Sequence, residues 1–92
     1  QQITLPVRVM NLLGVERLLI SNAAGNMNHN WRKGELMVID DHINLLPDNP
    51  LRGPNHELFG PRFPDMSQPY AKELNTLLKS IAAERGIKLN EG

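Results

Sequence analysis

With 92 residues, 10 Lys+Arg against 10 Asp+Glu and no cysteine, the chain is at most one domain, whose thin core buries about 60–65% of the unfolded surface. The formal net charge of zero excludes a broad field favouring nucleic acid or an anionic membrane surface, so any anion it binds must be held locally. Without cysteine there are no disulfides, zinc–thiolate sites or thiol nucleophile, which points to a reduced, cytoplasmic compartment.

No apolar run reaches the roughly 18–20 residues of a membrane span, and Gln1-Gln2-Ile3 lacks the layout of a signal peptide. Beginning without Met, the sequence reads as an excerpt or a processed product. Pro6 suits a first helical turn, Val7, Met10 and Leu13 recur at helical spacing, and Gly14 supplies a left-handed residue that stops the helix. Residues 15–20 then read as a short strand buried on both faces. A helix followed at once by such a strand implies parallel neighbours. Their crossovers take a dozen or more residues, and the stretch before Pro6 is too short to hold one, so at least one neighbouring strand is expected outside this chain.

That strand opens into Ser21-Asn22-Ala23-Ala24-Gly25, a loop of very small side chains. Bare backbone N–H groups at the carboxyl edge of a sheet, where open α/β folds bind ligands, suit a phosphate better than a cationic metal. The plain alternative is a tight turn that needs room.

A second strand is predicted over residues 35–39, introduced by Lys33-Gly34 and ended by Asp40-Asp41, with Trp31 anchoring the segment before it. The adjacent acids suit a turn and cap as well as a general-base pair. Residues 44–66 carry Pro47, Pro50, Pro54, Pro61 and Pro64 with Gly53 and Gly60, which forbids a long helix or central strand. So long a loop is functional or packs on other structure, and Phe59 and Phe63 argue against a mere linker.

The last element is a helix over 68–85: Ser67 as N-cap, Pro69 in the first turn, an apolar stripe of Leu74, Leu77, Leu78 and Ile81, and Gly86 as terminator. The stripe needs a sheet to cover. The fold class is therefore α/β, read as one segment of a larger domain: helix and strand at 6–20, phosphate loop at 21–26, second strand at 35–39, proline-rich interface loop at 44–66 and helix at 68–85.

His29, His42 and His56 share no metal-ligand spacing and receive no role. Arg52 in a Pro/Gly loop suits an anion or a brace on backbone carbonyls. Phe63, read alone, is a packing aromatic.

Four motifs in order carry a resemblance: Ser21-Asn22-Ala23-Ala24-Gly25; Gly34-Glu35-Leu36-Met37-Val38-Ile39 with Asp41-His42-Ile43-Asn44-Leu45; Asn49-Pro50-Leu51-Arg52-Gly53-Pro54-Asn55; and Phe59-Gly60-Pro61-Arg62-Phe63-Pro64-Asp65-Met66-Ser67. Together they closely resemble the trimeric purine nucleoside phosphorylases over nearly the whole chain, in the form that cleaves inosine and guanosine rather than methylthioadenosine. The resemblance implies a phosphorylase/hydrolase-like fold with a mixed central sheet flanked by helices, incomplete in this chain. It implies phosphorolysis of purine nucleosides to free base and (deoxy)ribose 1-phosphate, with phosphate as co-substrate and no metal or organic cofactor.

Carried over by position, Ala23 is implied to bind phosphate through its backbone N–H, and Ala24 and Gly25 to wall the purine and ribose. Phe63 is implied to cross the trimer interface and cover the neighbouring subunit's nucleoside. Asn26 departs from the family's more usual second glycine, and the loop between Asn44 and Asn49 has the shorter, bacterial form. The family's phosphate-loop serine, its Arg-x-His clamp and the Glu and Asn that recognise the purine have no counterpart in these 92 residues. No catalytic residue is assigned here, and the chain alone is expected to be inactive. The competing reading is a non-catalytic anion- or nucleoside-binding module; phosphate-dependent cleavage of inosine separates the two.

Overall fold

Two helices form where apolar spacing and terminators coincide. In the computed structural model, which describes residues 2–92, α1 spans Leu5–Leu12 and α2 spans Lys72–Glu84. Pro6 lies in the opening turn of α1, where its missing N–H breaks no helical bond. Both helices stop in the same way. After α1, Gly14 at φ 79° donates to the Asn11 carbonyl at 3.0 Å, and Val15 donates to Met10 at 3.0 Å. After α2, Gly86 at φ 64° donates to Ala83 at 3.2 Å, and Ile87 donates to Ala82 at 2.8 Å. Glycine enters the left-handed region without a Cβ clash, and the crossed bonds satisfy carbonyls that the last turn would orphan.

The start of α2 corrects the sequence reading. The helix begins at Lys72, not at 68, with Ala71 at its N-cap and no side-chain cap. Pro69 disfavours helical backbone at the residue before it. Ser67 turns to Asp65 instead, donating its N–H to Oδ1 at 2.9 Å and its hydroxyl to Oδ2 at 3.0 Å.

The chain divides into two compact units and passes between them after Ala23, Asn44 and Pro64. One unit takes the chain up to Ala23 together with Leu45–Pro64. It holds α1 and, in the proline-rich stretch, a single short 3-10 turn at Glu57–Phe59. The guanidinium of Arg62 donates to the Gly53 carbonyl, so one arginine of this stretch braces backbone. The predicted strand at 15–20 forms no ladder among the described residues, and Leu19 is 87% exposed. A strand needs a neighbour to receive its N–H and C=O groups, and none of the described residues pairs with this stretch.

The other unit comprises Ala24–Asn44 and Asp65–Gly92. Its sheet pairs β1 (Leu36–Val38) with β2 (Leu89–Glu91) in parallel, with Leu36 opposite Leu89, Met37 opposite Asn90 and Val38 opposite Glu91. Two further bonds extend the ladder: Asp40 N–H to the Gly92 carbonyl at 2.9 Å and Gly92 N–H to the Val38 carbonyl at 3.2 Å. A parallel pair requires a long crossover, and α2 lies within it. Gly34, at φ 84°, makes the turn into β1. Val38 and Ala82, each 6% exposed, are the buried apolar side chains among the described residues. Leu77, Leu78 and Ile81 of the α2 stripe remain exposed.

Candidate phosphate loop and its surroundings

The loop at 21–26 is exposed along its length. Among the described residues, no group accepts a hydrogen bond from the amides of Ala23, Ala24 or Gly25. Gly25 lies outside the left-handed region, and a Cβ built on it would meet nothing within 4 Å. Packing within this chain therefore does not demand a glycine at position 25. The three amides have no acceptor within the chain, and backbone donors of this kind are what an anion can use.

Asn26 holds the far side of the loop. Its Oδ1 accepts the Asn28 N–H at 2.8 Å and its Nδ2 donates to the Trp31 carbonyl at 3.0 Å. Asn28 repeats the pattern, accepting the Asn30 N–H on Oδ1 at 3.0 Å, and Trp31 N–H returns to the Asn28 carbonyl at 3.1 Å. These side chains mimic backbone turns and lead the chain from Gly25 to Trp31. The spacing Asn26, Asn28, Asn30 was the signal for this relay, which the sequence reading did not use.

Ala23 and Phe63 belong to one unit, Ala24 and Gly25 to the other. Phe63 is 87% exposed, whereas Phe59, 39% exposed, lies under the Arg8 guanidinium with its centroid 5.5 Å from the guanidinium carbon. One aromatic of the pair is thus engaged and the other projects. Phe63 shares this degree of exposure with Leu19, Ile43 and Leu45.

The acids after β1 act on backbone and side-chain donors. Asp41 Oδ1 accepts the His42 N–H at 2.8 Å, and Asp40 Oδ1 accepts from Asn75 Nδ2 at 3.3 Å. His42 Nδ1 lies 3.0 Å from the Tyr70 hydroxyl, with the rings edge to face at 5.6 Å. In the other unit, His56 lines a polar hollow of about 310 Å³ with Arg8, Asp48, Asn49 and Arg52. The Arg52–Asp48 pair there is 3.6 Å apart and exposed at both ends, where solvent screening makes it weak.

Over residues 1–92 the chain matches the family model described as the phosphorylase superfamily. The chain belongs to the phosphorylase superfamily. This phosphorylase-superfamily chain is 51% identical over 92 residues to purine nucleoside phosphorylase 1 of Bacillus subtilis, with 100% of this chain and 34% of that protein covered. It is 50% identical over 91 residues to purine nucleoside phosphorylase 1 of Geobacillus stearothermophilus, covering 99% of this chain and 33% of the relative. To the mouse purine nucleoside phosphorylase it is 49% identical over 98 residues, with 99% and 33% covered. The superfamily chain therefore spans about a third of the length of the curated relatives it matches.

Proposed function

We propose that this chain works as part of a purine nucleoside phosphorylase, in which a purine nucleoside and inorganic phosphate give the free base and (deoxy)ribose 1-phosphate. The observation that carries the reading is the exposed loop of Ala23, Ala24 and Gly25, whose amides have no hydrogen-bond acceptor among the described residues. The half-identity of the chain along its whole length to proteins named purine nucleoside phosphorylase supports it.

In this reading the Ala23 N–H donates to phosphate, and Ala24 and Gly25 form the wall beside purine and ribose. Cleavage of the glycosidic bond builds positive charge on the ribose, so an anion held below the anomeric carbon stabilises the transition state and is already positioned to attack. Backbone donors suit this task because they are fixed before the reaction and cost no side-chain ordering. Phosphate adds to the anomeric carbon as the bond to the purine breaks, and the electron pair of that bond leaves with the base. No metal or organic cofactor takes part in this scheme.

The remaining walls of the site come from residues outside this chain, within the mixed central sheet of a complete phosphorylase domain. Phe63 reaches into a neighbouring subunit of a homotrimer and covers its nucleoside, and the enzyme acts in the cytoplasm on purine salvage. The exposed Phe63 and the uncovered apolar residues of α1 and α2 support a chain that packs on further structure.

The test is kinetic and hydrodynamic. The full-length protein is expected to consume inosine only when phosphate is supplied, to release hypoxanthine and ribose 1-phosphate in equal amounts, and to sediment as a trimer. Tight nucleoside binding without phosphate-dependent cleavage overturns the enzymatic reading.

A further inference from the structure

We propose that Asn26 is a positioning residue for the nucleoside site, holding Ala24 and Gly25 in place through its bond to the Trp31 carbonyl. The inference rests on the reading of Ala24 and Gly25 as the wall beside purine and ribose.

Ala24 and Gly25 have little of their own to fix them. Residues 16–25 make no hydrogen bond among the described residues: the last one before them runs from the Val15 N–H to the Met10 carbonyl, and the next along the chain is made by Asn26. Packing does not substitute, since a Cβ built on Gly25 would meet nothing within 4 Å. Asn26 is therefore the nearest tie, one peptide from Gly25, a Cα separation of about 3.8 Å.

The Asn26 amide is used at both ends. Its Oδ1 accepts the Asn28 N–H at 2.8 Å, which closes a turn, and its Nδ2 donates to the Trp31 carbonyl at 3.0 Å, which ties the turn to a point further along the chain. Trp31 is a firm point for that tie. Its N–H donates to the Asn28 carbonyl at 3.1 Å, and its side is half-buried. A Cβ built on Gly92 would lie 3.2 Å from Trp31 Cη2 and 3.4 Å from Met37 Sδ, so the indole sits beside β1 and the residue that follows β2. Ala24, Gly25, Asn26, Trp31 and both strands belong to one compact unit, and the connection from wall to sheet stays within it.

A segment that is loose before binding must be ordered when its ligand arrives, and that cost is taken from affinity. The Asn26–Trp31 bond supplies part of the order in advance. Its loss weakens the hold on the nucleoside equally in the ground state and the transition state, which raises KM and leaves kcat in place.

The experiment uses the full-length phosphorylase carrying this chain, with inosine varied at saturating phosphate. Asn26→Ala is expected to raise the inosine KM about two- to tenfold, the worth of one hydrogen bond, with kcat unchanged. Asn26→Ser keeps an oxygen that can accept the Asn28 N–H but cannot reach the Trp31 carbonyl, and it is expected to match Asn26→Ala. Recovery of the wild-type KM in Asn26→Ser overturns the tie to Trp31. So does an Asn26→Ala variant whose inosine KM stays at the wild-type value, whether its melting temperature or its kcat falls or not, in a protein where Gly25→Ala raises that KM. If Gly25→Ala also leaves the inosine KM unchanged, the reading of the wall itself fails, and the positioning role with it.

Discussion

Lys88 Nζ lies 2.7 Å from Glu35 Oε1, joining two residues 53 positions apart, each just before one strand of the parallel pair. Asn90 Nδ2 donates to the other carboxylate oxygen, Oε2, at 3.0 Å, and the Arg32 N–H reaches the same oxygen at 3.2 Å. Glu35 thus gathers the turn before β1 and two residues flanking or within β2 on one carboxylate. With its side chain 16% exposed, it is better shielded than an ordinary surface pair.

This clamp has a pH signature. The Lys88 hydrogen bond, then that of Asn90, hold the Glu35 carboxyl at about 2, below its ordinary 4.5. A group whose pKa is depressed by folding stabilises the fold above its unfolded value and stops doing so as pH falls through its folded value. The contribution is therefore fully present above about 4.5 and is lost progressively as pH falls toward about 2. Acid titration of thermal stability is expected to show wild type above Glu35→Gln at neutral pH, with the two converging near the lower value. Parallel curves throughout would contradict the assignment.

Ala23 provides the direct test of backbone donation to phosphate. Ala23→Pro removes the N–H and is expected to raise the phosphate KM of the full-length protein by at least about tenfold, as loss of a charge-assisted hydrogen bond does. Ala23→Gly keeps the N–H and is expected to stay close to wild type. A proline variant that binds phosphate normally would remove Ala23 from the site.

Gly25 separates folding from ligand approach. A Cβ there meets nothing within 4 Å, and its backbone lies outside the left-handed region. Gly25→Ala is expected to leave the melting temperature unchanged while raising the inosine KM, because the added methyl group faces the space assigned to ligand. A drop in stability with unchanged kinetics would mean that the small residue serves packing.

Val38 carries the apolar burial of β1, at 6% exposure. Val38→Ala is expected to destabilise the protein by about 2 kcal/mol through lost burial and the cavity left behind. Chemical denaturation of the two proteins measures it. A loss indistinguishable from that of the exposed neighbour Met37→Ala would show that the side chain is not part of a core.

The helices and the small-residue loop were legible in the sequence because their determinants are local. Helical spacing, Pro6 near the start of α1, and Gly14 and Gly86 at the ends act within a turn or two of the residues concerned. The start of α2 was misjudged by the same local reading: Ser67 had two partners to choose from, and Asp65 took it. The small side chains of Ala23, Ala24 and Gly25 are visible in the sequence itself, but the strand expected to lead into them, at 15–20, does not form among the described residues.

Strand pairing was decided at longer range. Leu89–Glu91 shows no strong strand pattern, yet it pairs with Leu36–Val38, whereas the more strand-like residues 15–20 pair with nothing among those described. A ladder depends on which distant segment offers complementary N–H and C=O groups, and composition carries no record of that. The meetings of Glu35 with Lys88 and of His42 with Tyr70 depend on the same long-range choice. By itself, then, the sequence determined the helices and their stops, since each rests on bonds spanning a few residues. Tertiary structure alone decided the parallel pair and the contacts around it, since those bonds exist only once remote parts of the chain have met.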